Sequence, residues 1–180
     1  MYRMNFDITI GKYTLAMLER IEIVSDVEML SDTATIVLPA MAYNKALDVE
    51  SKIKRGDRVV IKLGYDGKLE TEFTGYLDRI QTDKGSLKLI CEDEMFLYKT
   101  DIQDIEFNNV DVKQILTHLN RKVSEVISKE RGENIRLELD CNYSFKYDKF
   151  TISNNNAFDV LKVIQEEAKP NIYMKGNTLH

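Results

Sequence analysis

The chain has 180 residues, 43% of them hydrophobic, which is enough for one large domain or two small ones with a buried core. Its 25 Lys and Arg against 30 Asp and Glu give a net charge of -5, which disfavours tight nucleic-acid binding because phosphate neutralisation needs a basic surface. The first ten residues alternate in polarity and no long apolar run follows. The sequence therefore predicts neither a signal peptide nor a membrane anchor, and synthesis in the cytoplasm is expected.

The first part of the chain predicts short β-strands. Apolar side chains alternate or form short extended runs at three places, namely Phe6 to Ile10, Ile21 to Val24 and Thr35 to Leu38, the last of them closed by Pro39. The following stretch, Met41 to Ser51, predicts either a short helix or an irregular crossing.

The strongest pattern is Lys54 to Ile80, which predicts a long β-hairpin. Apolar residues alternate on the first arm, Asp66-Gly67 can supply the positive φ angles of a tight turn, and alternation resumes on the second arm. The residues that define this hairpin are Val59, Ile61, Leu63, Tyr65, Asp66, Gly67, Phe73, Gly75 and Tyr76.

A second turn, Asp83-Lys84-Gly85, and a strand through Leu87, Leu89 and Cys91 follow the hairpin. Six or seven short strands with closely spaced turns indicate an antiparallel barrel or sandwich over residues 1–100. We expect a closed barrel, because a long hairpin in an open sheet exposes an unpaired edge.

From residue 101 the pattern predicts an α+β domain with two helices, over residues 101–180. Asp111 is a candidate N-cap for a helix with an apolar face that ends at Gly132, and Asn156 is a candidate N-cap for a second helix that ends at Pro170. Between them, alternation predicts a strand from Ile135 to Cys141 and a hairpin or meander through Tyr143, Phe145 and Tyr147.

Two segments of this second half resemble each other at one constant offset. Phe107 to Asp111 followed by Ile115-Leu116 aligns with Ile152 to Asn156 followed by Val160-Leu161. Each segment is a strand end, a polar turn, a capping residue and an amphipathic helix, although two copies of so common a unit can arise by chance. The chain ends just after a predicted hairpin turn, Lys175-Gly176-Asn177, so we expect it to be truncated at its C-terminus.

No set of residues predicts catalysis, a cofactor site or a metal site. His118 is predicted to be a boundary or surface residue of the first helix, His180 is the last residue and could be disordered, and Cys91 and Cys141 are predicted to be small apolar residues. The glycines at 64, 67 and 75 lie within the hairpin, where turns and strand curvature explain them. We therefore expect a protein that is not an enzyme.

Two other functions remain open. The acidic run Glu92-Asp93-Glu94 is a candidate for hydrolysis by paired carboxylates, although short acidic runs at strand ends are usually solvated. The aromatic residues Tyr143, Phe145, Tyr147 and Phe150 are candidates for a carbohydrate or cell-envelope binding surface, although alternating aromatics also have high strand propensity.

Three stretches resemble the N-terminal region of the baseplate-hub family of contractile-tailed phages, which includes the late control D proteins and is related to the VgrG spike proteins of type VI secretion. They are Asp32 to Pro39, Gly56 to Gly67 with Phe73-Thr74-Gly75-Tyr76, and Ile90 to Asp93 with Phe96-Leu97. The tail from Ala157 to Leu179 also resembles that family.

The resemblance implies a tail-tube-like barrel followed by an α+β domain, in a structural protein of a phage tail or a prophage. It implies a homotrimer in the full-length protein, which joins the tail tube protein to the spike protein and lets DNA or a tape-measure protein pass through. The hairpin of Val59 to Tyr76 would then contact a neighbouring subunit or the ring lumen, an arrangement compatible with cyclic symmetry.

Overall fold

The computed structural model describes residues 4–39, 49–83 and 86–180, and the chain divides into two compact units. The first unit comprises Met1–Asp26 and Ser31–Asp93, and the second comprises Val27–Leu30 and Glu94–His180. The predicted domain boundary at residue 100 lies after the 3-10 helix Glu94–Tyr98, whereas the second unit already includes that helix. Lys84 and Gly85 of the predicted second turn, and residues 41–48 of the predicted crossing, lie outside the described residues.

The first unit is an antiparallel sheet with a short helix. The sheet order is β2-β1-β5-β6-β7-β4-β3, and α1 is Val49–Lys52. The strands are β1 (Met4–Ile10), β2 (Tyr13–Thr14), β3 (Arg20–Val24), β4 (Thr33–Leu38), β5 (Arg58–Tyr65), β6 (Lys68–Asp83) and β7 (Ser86–Glu92). The strands predicted at Phe6 to Ile10, Ile21 to Val24, Thr35 to Leu38 and Leu87 to Cys91 are confirmed, whereas the short β2 was missed.

Alternation along the strands produces the core of this unit. In β7 the residues alternate strictly between buried and half-buried, so Leu87, Leu89 and Cys91 point to one face. They join Ile8, Ile61 and the other strands' inward side chains in one apolar cluster. Because the side-chain period is two, a slip by one residue would turn this whole set toward solvent, so the register is strongly specified.

Antiparallel architecture is confirmed, but a closed barrel is not. Within the described residues, strand pairing runs as an open ladder from β2 to β3, and no described pair joins those two terminal strands. Closure of the barrel stays a prediction.

Strand β6 changes partner along its length. Lys68 to Tyr76 pair with β5, whereas Tyr76 to Asp83 pair with β7. The register shifts once in each half, and it skips Glu72 in the pairing with β5 and Asp78 in the pairing with β7. Such bulges bend a strand and increase its twist, which lets one strand serve two neighbours.

The second unit contains two sheets and two helices. Its elements are β8 (Ile105–Asp111), α2 (Val112–Arg131), β9 (Glu138–Leu139), β10 (Lys146–Ile152), α3 (Ala157–Ala168), β11 (Met174–Lys175) and β12 (Thr178–Leu179). Strands β8 and β10 form an antiparallel pair, and the order in the other sheet is β11-β12-β9. The α+β class with two helices is confirmed.

Both helices begin and end where the capping residues predicted. The Asp111 side chain accepts a hydrogen bond from the Lys113 amide at 2.9 Å, while the Asp111 amide donates to the Gln114 side chain at 3.0 Å. Helix α2 ends at Gly132, whose φ of 67° is the left-handed conformation that glycine favours. Asn156 caps α3 by accepting from the Asp159 amide at 2.8 Å.

The strand predicted from Ile135 to Cys141 is shorter than expected, and the predicted hairpin or meander with the aromatic segment is wrong. Only Glu138–Leu139 is a strand, and it pairs in parallel with β12, while β10 pairs with β8. The reason is that side chains of α2 form hydrogen bonds with the backbone of this segment. The Leu137 amide donates to Ser124 Oγ at 3.0 Å, and Asn120 Nδ2 donates to the Glu138 carbonyl at 2.8 Å.

The internal resemblance in the second unit corresponds to repeated geometry. Asn109 and Asn154, which align in the two segments, both have positive φ angles, of 48° and 52°. Val112, the first residue of α2, donates its amide to the Phe145 carbonyl at 2.8 Å. Ala157, the first residue of α3, donates in the same way to the Thr100 carbonyl at 2.9 Å.

The pairing of β8 with β10 shows how the two copies are related. Asp111 pairs with Lys146, and at the aligned position Asn156 forms an antiparallel bridge with Asp101. An antiparallel pair in which each strand makes the same contacts with the other has approximate two-fold symmetry. The second unit is therefore built around two copies of one strand-turn-helix element.

The predicted terminal hairpin is confirmed, and His180 is ordered. Met174 pairs with Leu179, and Gly176 in the turn has a φ of 58°. The His180 ring stacks on Tyr173 with ring centroids 5.0 Å apart, and the two residues exchange backbone hydrogen bonds.

Gly75 in β6 is predicted to tolerate substitution less well than Gly67 in the turn. A Cβ atom there would lie 2.0 Å from the Glu92 carbonyl oxygen, whereas a Cβ at Gly67 would meet nothing within 4 Å and would be strained only by its φ of 83°. We expect Gly75→Ala to lower the free energy of unfolding by about 3 kcal/mol and Gly67→Ala by about 1 kcal/mol. Urea denaturation measures both, and equal losses would contradict the close approach at Gly75.

Removal of the Tyr98 hydroxyl is expected to destabilise the second unit. Tyr98 is fully buried and donates its hydroxyl hydrogen to Asn120 Oδ1, which is also buried. Tyr98→Phe leaves that oxygen without its donor, so we expect a loss of about 2 kcal/mol in the free energy of unfolding. Tyr173→Phe, at a half-exposed ring, is the control and should stay within about 0.5 kcal/mol.

Candidate assembly site

The predicted hairpin is formed by β5 and β6. Asp66 and Gly67 form its turn with φ angles of 52° and 83°, the two positive values that a tight hairpin turn requires. The Gly67 amide donates to the side-chain oxygen of Asn5 at 3.2 Å, which connects β1 to the turn. The local signal in the sequence therefore fixed both the position and the type of this turn.

Most of the predicted hairpin residues lie in the core. Val59, Ile61, Phe73 and Tyr76 are buried, and Gly75 sits against the backbone of β7. Leu63 is half-buried, whereas Tyr65, Asp66 and Gly67 are exposed. The tip is therefore the part of the hairpin that another molecule can reach, and the rest holds the tip in place.

The base of the hairpin is held by a buried carboxylate. Asp78, the bulge residue of β6, is 5% exposed, and its Oδ1 lies 3.2 Å from Arg55 while Oδ2 lies 3.8 Å from Arg79. Arg58 of β5 pairs with Tyr76 of β6, and its guanidinium lies over the Tyr76 ring, 5.0 Å from the ring centroid. These contacts fix the start of the first arm against the middle of the second.

An open cleft lies along the inner face of the hairpin tip, and we call it the tip cleft. Its volume is about 520 Å³, and its lining residues are Met4, Ile23, Leu63, Gly64, Tyr65, Lys68, Glu70 and Glu72. Cross-strand pairing explains this composition, since Met4 pairs with Tyr65 and Leu63 pairs with Glu70. The tip cleft therefore combines apolar side chains from β1, β3 and β5 with charged side chains from β6.

Exposed apolar residues gather around this cleft. Met4 is 53% exposed and Tyr65 is 59% exposed, and both line it. Leu69 and Val24, which follow the lining residues Lys68 and Ile23, are also exposed large apolar residues, on the opposite face of their strands. A cluster of this kind marks an interaction surface more often than scattered apolar residues do.

The acidic run does not form a solvated set of paired carboxylates, contrary to expectation. Asp93 is 9% exposed and accepts hydrogen bonds from Ser31 Oγ at 2.9 Å and from the Asp32 amide at 3.1 Å. Glu94 is 5% exposed and begins the 3-10 helix. The Asp93 carboxylate thus connects Ser31 and Asp32, which precede β4, to the end of β7, and its role is structural.

Neither histidine lies in a cluster of metal ligands or nucleophiles. Among the described residues, no group of three or more His, Cys, Asp or Glu side chains is arranged to hold a metal ion. His118 is half-buried, with its ring edge against Phe107, and burial followed by the nearby charge of Arg121 lowers its pKa. This position agrees with a boundary residue of α2.

The aromatic residues proposed for carbohydrate binding pack on one another. Tyr147 lies between Phe145 and Phe150, with ring centroids 4.9 Å and 4.8 Å apart. Phe150 is buried, and the Tyr143 hydroxyl donates to the Ala168 carbonyl at the end of α3. The contacts among these three rings, and the burial of Phe150, reduce the ring surface that could stack on a sugar.

No helix in the described parts of the chain is both long and apolar enough to cross a membrane.

The fold is similar to that of solved tail proteins. The 43 kDa tail protein of prophage MuSo2 from Shewanella oneidensis matches 98% of this chain with a TM-score of 0.55 and 17% identity. The tail protein from Neisseria meningitidis MC58 also matches 98% of the chain, with a TM-score of 0.51 and 17% identity. This chain shares the fold of these two tail proteins.

A third match comes from a secretion system. The E. coli c3393 protein, described as a component of the type VI secretion system with structural similarity to the T4 bacteriophage tail proteins gp27 and gp5, matches 88% of the chain with a TM-score of 0.50 and 11% identity. No protein-family model and no curated protein sequence matches the chain. The chain covers 54%, 50% and 42% of the three solved structures, which is about half their length.

The sequence pattern identified the hairpin but not the tip cleft. Alternation placed Leu63 and Tyr65 on one face, yet Met4 and Ile23 lie far away in sequence and reach the cleft only through the sheet order. The signal that was present is the alternation of charged residues at Lys68, Glu70 and Glu72, which marks the face of β6 that lines the cleft.

The two cysteines are expected to differ in reactivity. Burial, followed by the charges of Asp78 and Glu92, raises the pKa of the Cys91 thiol to about 12, so it stays protonated and enclosed at neutral pH. Cys141 is half-buried. A thiol-reactive aromatic disulfide should therefore modify Cys141 quickly in the folded protein and Cys91 only after urea unfolding. Fast modification that persists in Cys141→Ser would contradict the burial of Cys91.

Proposed function

We propose that the chain is part of a structural hub subunit of a phage tail or of a phage-like contractile injection machine, where it joins the tail tube to the central spike. The observation that carries the proposal is the fold shared over 98% of the chain with two phage tail proteins. The sequence resemblance to the baseplate-hub family, seen at Gly56 to Gly67, supports the same role independently of the fold.

In this proposal the first unit is a closed tail-tube-like barrel in the assembled protein. The open ladder from β2 to β3 supports it, because both terminal strands of an antiparallel sheet need a partner or a cover. The full-length protein forms a homotrimer, and its partners are the tail tube protein, the spike protein and a tape-measure protein. Its location is the virion tail or baseplate.

The role is structural and not enzymatic. The carboxylates of the acidic run are engaged in packing and hydrogen bonds, as Asp93 shows with Ser31. DNA would pass the protein as cargo without tight binding, since the net charge of -5 gives no general attraction for phosphates.

A VgrG-like spike component of a type VI secretion system is the second candidate. The fold similarity to the E. coli type VI secretion component favours it. The two candidates share the hub architecture and differ in the machine that they serve.

Oligomeric state tests the proposal. We expect a longer protein that contains these 180 residues to sediment as a trimer and to form rings visible by electron microscopy. Strictly monomeric behaviour of that protein at high concentration would contradict the hub role.

The contribution of the hairpin tip is tested in the same protein. Tyr65→Lys replaces an exposed aromatic residue of the tip, and buried aromatic anchors typically contribute about 2 kcal/mol or more to an interface, so the trimer should dissociate at roughly thirtyfold higher concentration. Val27→Lys, at an apolar residue that is 82% exposed and outside the cleft, is the matched control. Unchanged assembly of Tyr65→Lys would remove the hairpin from the proposal and leave the hub role standing.

A further inference from the structure

The outer edge of β6 is unpaired near the hairpin tip. Lys68 to Phe73 pair with β5 on one side, but β7 reaches β6 only at Tyr76, where it pairs through Glu92. No strand in the described parts of the chain pairs with the other side of Lys68 to Phe73. In an antiparallel strand about half of the backbone N-H and C=O groups point to each side, so this edge presents a row of donors and acceptors to solvent.

The side chains of this edge divide into two faces. Lys68, Glu70 and Glu72 line the tip cleft, whereas Leu69 and Thr71 lie on the opposite face. A strand added along the edge would therefore place every second side chain beside Glu70 and Glu72 on the cleft face. Its other side chains would lie beside Leu69 on the opposite face.

The charged residues of the tip cleft indicate which kind of segment could bind along this edge. Glu70 and Glu72 outnumber Lys68 among the charged lining residues, and Asp66 is exposed at the turn beside them. An occupant with basic residues complements this surface, whereas acidic residues would face like charges.

The β6 edge of a second copy complements this edge poorly. If two β6 edges paired with each other, Glu70 and Glu72 of one copy would approach the same residues of the other, and like charges that oppose each other across strands are destabilising. The net charge of -5 adds repulsion between copies.

We propose that the outer edge of β6 from Lys68 to Phe73, together with the tip cleft, is an acceptor site for an extended segment of a different polypeptide with alternating apolar and basic residues. The segment adds one strand to the sheet through main-chain hydrogen bonds, with its basic side chains beside Glu70 and Glu72 and its apolar side chains beside Leu69 on the opposite face. This acceptor site rests on the first unit's own geometry, and it does not require the tail role proposed above.

The binding probe is a peptide of alternating lysine and valine, blocked at both ends and about ten residues long, which exceeds the edge at roughly 3.3 Å per residue. Hydrogen exchange of the 180-residue chain, followed by mass spectrometry, should show slower exchange at Lys68 to Phe73 when the peptide is present. A peptide of the same composition with its lysines and valines in separate blocks should give no protection. Equal protection by both peptides, or none at this edge, would overturn the proposal.

Backbone methylation tests strand addition directly. In an extended peptide the amides of alternate residues point to the same side, so N-methylation of all valines removes the donors of one edge and N-methylation of all lysines removes those of the other. A peptide that adds to β6 uses one of its edges, so one methylated peptide should bind at least about tenfold more weakly than the other. Equal affinities of the two methylated peptides would contradict main-chain pairing.

Charge substitutions locate the site. Glu72→Lys should weaken binding of the lysine-valine peptide by about tenfold, while Glu130→Lys, the same change on the exposed face of α2, should leave the affinity unchanged. Equal effects of the two substitutions would show that the peptide is attracted nonspecifically by the protein's charge, and would overturn the proposed location of the site. Concentration-dependent dimerisation of the chain alone, with protection at Lys68 to Phe73, would overturn the choice of a different polypeptide as occupant.

Discussion

The first unit depends on the point in β6 where the strand changes partner. Gly75 lies so close to the Glu92 carbonyl that only a residue without Cβ fits, and Tyr76 is the one residue that pairs with both β5 and β7. Because β7 ends at Glu92, no described strand lies beside the tip half of β6 on the side opposite β5. The tip cleft and the unpaired edge both follow from this constraint, as does the exposure of Tyr65.

The second unit is built from a repeated element. Each copy has a strand, an asparagine with positive φ, a capping side chain and a helix, and β8 pairs with β10 about an approximate two-fold axis. The helices differ in length, because α2 continues to Arg131 and uses Asn120 and Ser124 to bind the segment that contains β9. A small hydrogen-bonded addition to one copy thus breaks the symmetry of the pair.

Local features of the sequence predicted the local structure well. The Asp66-Gly67 turn, the caps Asp111 and Asn156 and the alternation of Leu87 to Cys91 each depend on residues close together in the chain. The errors came from partners distant in sequence. Asp93 is buried where it accepts a hydrogen bond from Ser31. The strand predicted from Ile135 is shortened because Ser124 of α2 accepts a hydrogen bond from the Leu137 amide. The fold class and the hairpin were therefore predictable, whereas the tip cleft was not, because Met4 and Ile23 reach it only in the folded sheet.

The chain combines a fold shared with two solved tail proteins with a hairpin whose buried arms present an exposed, partly apolar tip. We expect this tip to be a contact surface in an assembly. A cryo-electron microscopy reconstruction of the assembled particle that contains the full-length protein would show whether another polypeptide chain covers Tyr65 to Phe73, as we expect. A reconstruction in which solvent surrounds that segment would contradict the proposed contact.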